Sequence, residues 1–362
     1  MINKYFLEEP NILDLSKEIF NAVVGENLKI KTRFELISKK IKDAETVNFI
    51  LADGLGYSNL QSTDSFLNKH INNVVNTTFP SSTNVALTTI AMQANPIDHG
   101  VFSYYMYDKL KYGLINALNW NSENKNLLLS EYFNNQSSIW SVFKENNIYA
   151  SNFQPKNLIN TPLSNFLYED KSTVPYISQE DLLITLSDSM FLENRFNFIY
   201  YPNIDVSAHV FGVNSNEWNK EVKKFEELVK NISELSNKKS YTIISADHGL
   251  TNIPKENRFH LAHQEDINIY GDQRSVYVNG SEKKIIEAFS NIPGQLVNQT
   301  ELNLLLPTPE NEFVESLYPD FCFLVEDKNI IYPHHLKTEL AGYHGGLSSE
   351  EIKIPIIEIS NF

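Results

Sequence analysis

Six residues of the kinds that hold metal ions recur in four short motifs. Asp53 stands in LADGLGY, Asp205 and His209 in NIDVSAHVFG, Asp247 and His248 in SADHGL, and His344 in AGYHGGLSSEEIKIP. The D-x-x-x-H spacing of Asp205 and His209 lets a carboxylate and an imidazole converge on one ion if that segment turns helically. Asp247 and His248 are adjacent, so both serve one ion only where the chain bends, and Gly249 is placed to supply a bend. The two glycines after His344 would let the backbone approach a bound group closely. Taken singly, each residue also reads as a turn residue, a helix cap or a satisfied polar side chain. Taken as a set, three Asp and three His are too many for one tetrahedral zinc and suit two divalent cations sharing an oxyanion. The imidazole content argues against calcium or magnesium and favours zinc, with manganese second.

A second feature is the hydroxyl-rich stretch NTTFPSSTNVALTT from Asn76 to Thr89. It is pinned by Phe79-Pro80 and runs into the apolar residues Val85, Ala86, Leu87, Ile90 and Ala91. A polar turn before a helix and a nucleophile-bearing turn both fit this pattern, and the stretch alone leaves several hydroxyls as candidates.

The elements that must position these groups follow from periodicity. TVNFILAD, FNFIYYPNID and YTIISAD are apolar runs that end at Asp53, Asp205 and Asp247. Unbroken apolar runs of this length suit strands buried on both faces of a parallel sheet. Helical patterns lie between them. In SSIWSVFKENN, Ser137 or Ser138 would be the N-cap. In WNKEVKKFEELVKNISEL, Val222, Phe225, Val229 and Ile232 share one face. The expected fold is α/β, a central mostly parallel sheet flanked by helices, with functional groups at the carboxyl ends of strands. Residues 262–337 have a different texture and read as a small inserted α+β cap. Residues 1–261 and 338–362 would then form the catalytic core.

Composition limits the partners. A formal net charge of -15 over 362 residues excludes a nucleic-acid polymer as main partner, because phosphate backbones need clustered Lys and Arg. It leaves room for a small phosphorylated substrate, since bound cations invert the local field. The single cysteine, Cys322, removes internal disulfides and cysteine-based zinc sites. Glu8, Glu9 and Pro10 stand where a signal peptide needs an apolar core, and no apolar run approaches the ~20 residues of a membrane span. A soluble cytoplasmic protein is the expectation.

In this order, the motifs ADGLGY, FPSSTNVALTTIAMQANPIDHG, NIDVSAHVFG, SADHGL and YHGGLSSEEIKIP resemble the alkaline phosphatase superfamily. Within it they resemble the nucleotide pyrophosphatase/phosphodiesterase branch, over roughly residues 46 to 360. The resemblance implies a metal-dependent phosphoester hydrolase acting on diesters or nucleotide pyrophosphate bonds. It implies that Asp205, His209 and His344 hold one zinc, and that Asp53, Asp247, His248 and the nucleophile oxygen hold the other. Registering His99-Gly100 on the family pattern makes Thr83 the nucleophile rather than Thr78. Thr83 also sits where a helix would begin, so free N–H groups and the positive end of the dipole would face a phosphate. Asn84 would donate to phosphoryl oxygens. Tyr104 stands where the family commonly has a phosphate-binding Asn, and Arg274 would meet a substrate anion from the cap. His260, His263, His334 and His335 flank the cap as loop histidines. Phosphomonoester hydrolysis, C–P bond cleavage and phosphosugar mutase chemistry are alternatives on the same scaffold, the mutase disfavoured by the short cap. A non-catalytic ligand-binding member would lack a ligand or the nucleophile, and the motifs lack neither.

Overall fold

The computed structural model describes Asn3 and residues 6–25, 33–122, 138–168, 172–188, 194–235, 239–336 and 338–360. At its centre is a seven-stranded sheet in the order Ile71–Asn76, Lys353–Ser360, Ser240–Ser245, Thr46–Ala52, Phe196–Tyr201, Ala150–Pro155 and Thr173–Tyr176. The last five of these run parallel, and Lys353–Ser360 runs antiparallel to both its neighbours. The three central strands are buried along their whole length, as their unbroken apolar sequences require. Helix Asn216–Leu235 covers one face of this core with Trp218, Val222, Phe225, Leu228, Val229 and Ile232. Helix Ile139–Glu145 starts at Ser138, the second of the two serines expected to cap it; Ser137 lies outside the described residues. No described helix is long and apolar enough to cross a membrane.

One boundary differs from the apolar pattern. The strand expected to run into Asp205 stops at Tyr201, and Pro202 leads into helix Asn203–Phe211, which carries Asp205 in its first turn. Proline has no N–H to donate to a sheet ladder, but it fits the entry to a helix, so the apolar run breaks there.

Register explains why two of the carboxylates meet. Leu51 pairs with Ser245, so two residues further on Asp53 and Asp247 leave the sheet side by side. Gly54 then turns with φ at +73°, and its N–H donates to Asp247 Oδ1 at 3.0 Å. A Cβ on Gly54 would lie 2.9 Å from the Asp205 backbone, so this left-handed turn also lets helix Asn203–Phe211 close over the strand ends.

A second, antiparallel sheet has the order Gly294–Asn298, Phe321–Val325, Ser275–Gly280, Ile267–Gly271, Tyr105–Asp108, Gly113–Asn116 and Asn121–Ser122. Helix Glu282–Phe289 covers part of it with Ile285 and Phe289. The strands between 267 and 325 thus share one sheet with the strands between 105 and 122, and this sheet stands over the carboxyl ends of the first.

Arg274 joins the two sheets. It lies in the turn before strand Ser275–Gly280 and is 1% exposed. Its guanidinium makes a two-pronged ion pair with the buried Glu351, Nε to Oε1 at 2.7 Å and Nη2 to Oε2 at 2.8 Å. Glu351 also accepts the N–H of Gly346 at 2.9 Å. Removing one partner of such a pair leaves an uncompensated buried charge. Arg274→Met should therefore cost about 3–5 kcal/mol of stability in urea unfolding. A loss below about 1 kcal/mol would show that the pair does not hold the sheets together.

Candidate active site

The six ligand-type residues converge at the carboxyl end of the parallel sheet. Two trios have ligand atoms within 4.8 Å of one another: Asp53, Asp247 and His248, and Asp205, His248 and His344. His209 joins the second through Asp205, with Nε2 to Oδ2 at 3.3 Å, and its ring centroid is 5.2 Å from that of His344. Asp205 and His209 meet because the segment is helical, as their spacing anticipated. His248 and His344 stack with centroids 3.7 Å apart, and the short pairing of Thr251–Asn252 with Gly342–Tyr343 ties their two loops together.

Every imidazole is oriented the same way. Nδ1 of His209 faces the Gly342 carbonyl at 2.8 Å, that of His344 faces the Ser81 carbonyl at 2.8 Å, and that of His248 faces the Gly249 carbonyl at 3.2 Å. A carbonyl can only accept, so each Nδ1 carries a proton, and in His248 and His344, which burial keeps neutral, Nε2 presents a lone pair. Burial, then the charge of His209, pushes His248 down to about 3. Burial and its histidine neighbours hold His344 well below the ordinary range. His248 Nε2 is therefore unprotonated where it stands 3.6 Å from Asp53 Oδ1 and 3.4 Å from Asp247 Oδ2. These are acceptors facing acceptors, not ion pairs.

The carboxylates show the same deficit. Asp53 Oδ1, Asp205 Oδ1 and Asp247 Oδ2 are buried without a hydrogen-bond donor. Burial, with the mutual repulsion of the carboxylates, raises Asp53 well above its usual range; burial also raises Asp247, and it takes Asp205 to about 6. Leaving such groups unpaired costs several kcal/mol each, and a cation among them removes that cost. The donor set therefore fits metal ions, with the Nδ1–carbonyl bonds as the outer support that fixes liganding histidines.

Thr83 opens helix Thr83–Met92, whose remaining residues are all buried, and its Oγ1 lies 3.0 Å from His248 Nε2. The rival Thr78 is turned away, donating to the Pro80 carbonyl at 2.9 Å. The other hydroxyls of the stretch are structural: Ser81 bonds Gly346, Ser82 bonds Asn84, and Thr88 bonds its own helix. His99 is buried and donates to Thr89 at 2.9 Å, locking the far end of the helix rather than meeting a ligand.

A cavity of about 820 Å³ opens over these groups. Thr83, Asn84, Tyr104, Asp205, His209, His344 and His335 line it. The Asn84 amide is committed to the Ser103 carbonyl at 2.9 Å, which leaves its backbone N–H for a ligand. Arg274 is not brought to the cavity, because Glu351 occupies its guanidinium. The glycines near the histidines also differ from expectation. Gly345, with φ at +103°, yields to the Asp272 side chain, and a Cβ on Gly249 would lie 2.1 Å from the Glu350 carbonyl. They admit neighbouring protein rather than a bound group, and Gly249 keeps an ordinary φ. Spacing gave no hint of Tyr200, whose hydroxyl donates a short bond to Asp53 Oδ2. It is one tyrosine of an apolar strand and carries no separate sequence signal.

Fold and site define a hydrolase of the alkaline phosphatase superfamily. Residues 47–294 match the model of the type I phosphodiesterase / nucleotide pyrophosphatase family, and the chain belongs to that family. It is an enzyme that hydrolyses phosphoester or pyrophosphate bonds. No curated protein matches it in sequence. Among solved structures, it resembles murine ectonucleotide pyrophosphatase / phosphodiesterase 5 with a TM-score of 0.65 at 15% identity, covering 86% of this chain and 87% of that one. Its human counterpart gives 0.64 at 13%, with the same coverage. Phosphonoacetate hydrolase from Sinorhizobium meliloti gives 0.63 at 12%, covering 87% and 90%.

Because burial holds His248 and His344 neutral while it pushes the Asp205 carboxyl up to about 6, protons compete with a metal at the carboxylates. Zinc affinity, read by competition with a chromophoric chelator, should fall about tenfold or more between pH 7.5 and 5. An affinity independent of pH would remove these carboxylates as ligands.

Proposed function

We propose that this enzyme is a phosphodiesterase or nucleotide pyrophosphatase whose nucleophile is Thr83, working through a phosphothreonine with two bound divalent cations. The observation that carries this reading is the placement of Thr83 Oγ1 against His248 Nε2 at the first residue of a buried helix, beside the unpaired carboxylates. Asp205, His209 and His344 would hold one cation, and Asp53, Asp247, His248 and Thr83 the other. Zinc suits the imidazole-rich set best, with manganese second. Bound there, the cations supply Lewis acidity and charge neutralisation at the attacking and leaving oxygens.

The chain's own groups do the rest. The first turn of helix Thr83–Met92 begins at the cavity wall with Thr83 and Asn84, and its free N–H groups would favour an anionic phosphoryl group, the backbone N–H of Asn84 among them. Thr83 Oγ1 forms a bond to phosphorus as the bond to the leaving alcohol breaks. A water molecule then cleaves the phosphothreonine, and the monoester leaves. Tyr104 lines the cavity and is half-buried, and its phenol would donate to a non-bridging oxygen. The solved murine relative supports the nucleophile: a threonine-to-alanine variant of that protein is inactive and was captured with AMP. The cap assigned to 262–337 shares its sheet with strands from 105–122, which supports treating both segments as one lid over the site.

Thr83→Ala should lower kcat for bis-(p-nitrophenyl) phosphate by about a thousandfold or more while zinc content stays at the wild-type level. Wild-type turnover in that variant would sink the assignment. Turnover of phosphonoacetate with none of the diester would instead move the reading to C–P cleavage.

A further inference from the structure

Asp272 follows strand Ile267–Gly271 and is buried in the wall of the active-site cavity. Its Oδ2 accepts the Ser103 hydroxyl at 3.0 Å and the Tyr104 backbone N–H at 2.9 Å. Ser103 in turn gives its carbonyl to the Asn84 amide at 2.9 Å. The carboxylate, the Tyr104 segment and the residue after Thr83 are thus one hydrogen-bonded unit. Gly345, next to His344, closes the other side: a Cβ there would sit 2.9 Å from Asp272 Cβ. Burial pushes this carboxyl up to about 6 against those donors, so it is ionised above neutral pH. Among the described residues, no lysine or arginine lines the cavity.

We propose that Asp272 is a specificity-determining residue whose negative charge makes the site prefer monoanionic phosphodiesters over dianionic phosphomonoesters. This deepens the phosphoester-hydrolase reading and rests on it. A diester brings one negative charge, whereas a monoester carries nearly two above its second pKa of about 6. Cations and the helix N-terminus favour the transferred group in either case. The additional charge of the monoester then meets the Asp272 carboxylate across a low-dielectric wall, where like charges repel strongly. The uncharged arm of a diester finds apolar surface instead, at Leu87, Leu158, Leu163, Leu167 and Tyr168.

The charge can be separated from the hydrogen bonds. Asp272→Asn keeps an acceptor oxygen and the shape but removes the charge; Ser103→Ala removes one donor and keeps the charge. For the zinc-loaded full chain at pH 8, kcat/KM is measured with bis-(p-nitrophenyl) phosphate and with p-nitrophenyl phosphate. Asp272→Asn should raise the monoester-to-diester ratio about tenfold, mainly through the monoester KM. Ser103→Ala should lower both values together and leave the ratio within about twofold. An unchanged ratio in a folded, zinc-loaded Asp272→Asn overturns the proposal while leaving the phosphodiesterase reading intact. A wild type that hydrolyses neither ester overturns both. Should Asp272→Asn fail to fold, inhibition of the wild type decides the matter. Dimethyl phosphate binding more tightly than methyl phosphate sustains the proposal, and the reverse order overturns it.

Discussion

Three carboxylates and three imidazoles gathered at one point are the constraint around which the rest of this molecule is arranged. Asp53, Asp205 and Asp247 each present a buried oxygen with no donor, and His248 Nε2 points into the same space unprotonated. Left alone, the arrangement is repulsive in a medium that screens poorly. It persists because the folded scaffold over-determines it. Parallel register forces Asp53 beside Asp247, a left-handed glycine brings helix Asn203–Phe211 down on them, and three backbone carbonyls fix the imidazoles. A folded protein that spends stability this way would gain from a cation bound among these groups, and donors held so firmly suit that role.

The second constraint is the attachment of the cap sheet. Arg274 and Asp272 stand two residues apart, one clamped on Glu351 and the other on Ser103 and Tyr104. Ser275 continues the seam by donating to the Gly345 carbonyl at 2.6 Å. This four-residue turn therefore touches the His344 loop and the Tyr104 segment, and through Ser103 it reaches helix Thr83–Met92. A shift of this turn would be felt at all three.

Much of this was legible in the residues. Unbroken apolar runs gave the central strands, and the Asp and His at their ends gave the metal-type cluster, because buried parallel strands and metal ligands both demand narrow residue classes. The spacing of Asp205 and His209 was read correctly as conditional on a helix, although the strand before it was extended too far. Arg274 was misplaced because a guanidinium that pairs with a carboxylate 77 residues away looks, in sequence, like one that awaits a phosphate. Strands 105–122 joined a sheet whose other members begin at 267, and pairing over that separation leaves no local mark. Asp272 and Tyr200 carried no signal at all: one lies in an ordinary turn, the other in an apolar strand.

That pattern of success and failure has a physical origin. Groups of the kinds that bind metal are legible because their chemistry restricts them to a few residue types, and here they sit in loops and one helix at the carboxyl end of the parallel strands. Groups that shape the remainder of the cavity are under no such restriction. A wall needs charge or the lack of it, a donor or an apolar face, and many residues satisfy each demand. The leucines and Tyr168 come from the core side, Asp272 and Gln273 from the cap sheet, and Tyr104 from the segment that joins them. On the proposed reading the central sheet would fix the reaction, and the choice of ester would be distributed over a surface whose members only the fold brings together. A change of substrate would then need altered charge in the wall and no change in the carboxylate–imidazole cluster.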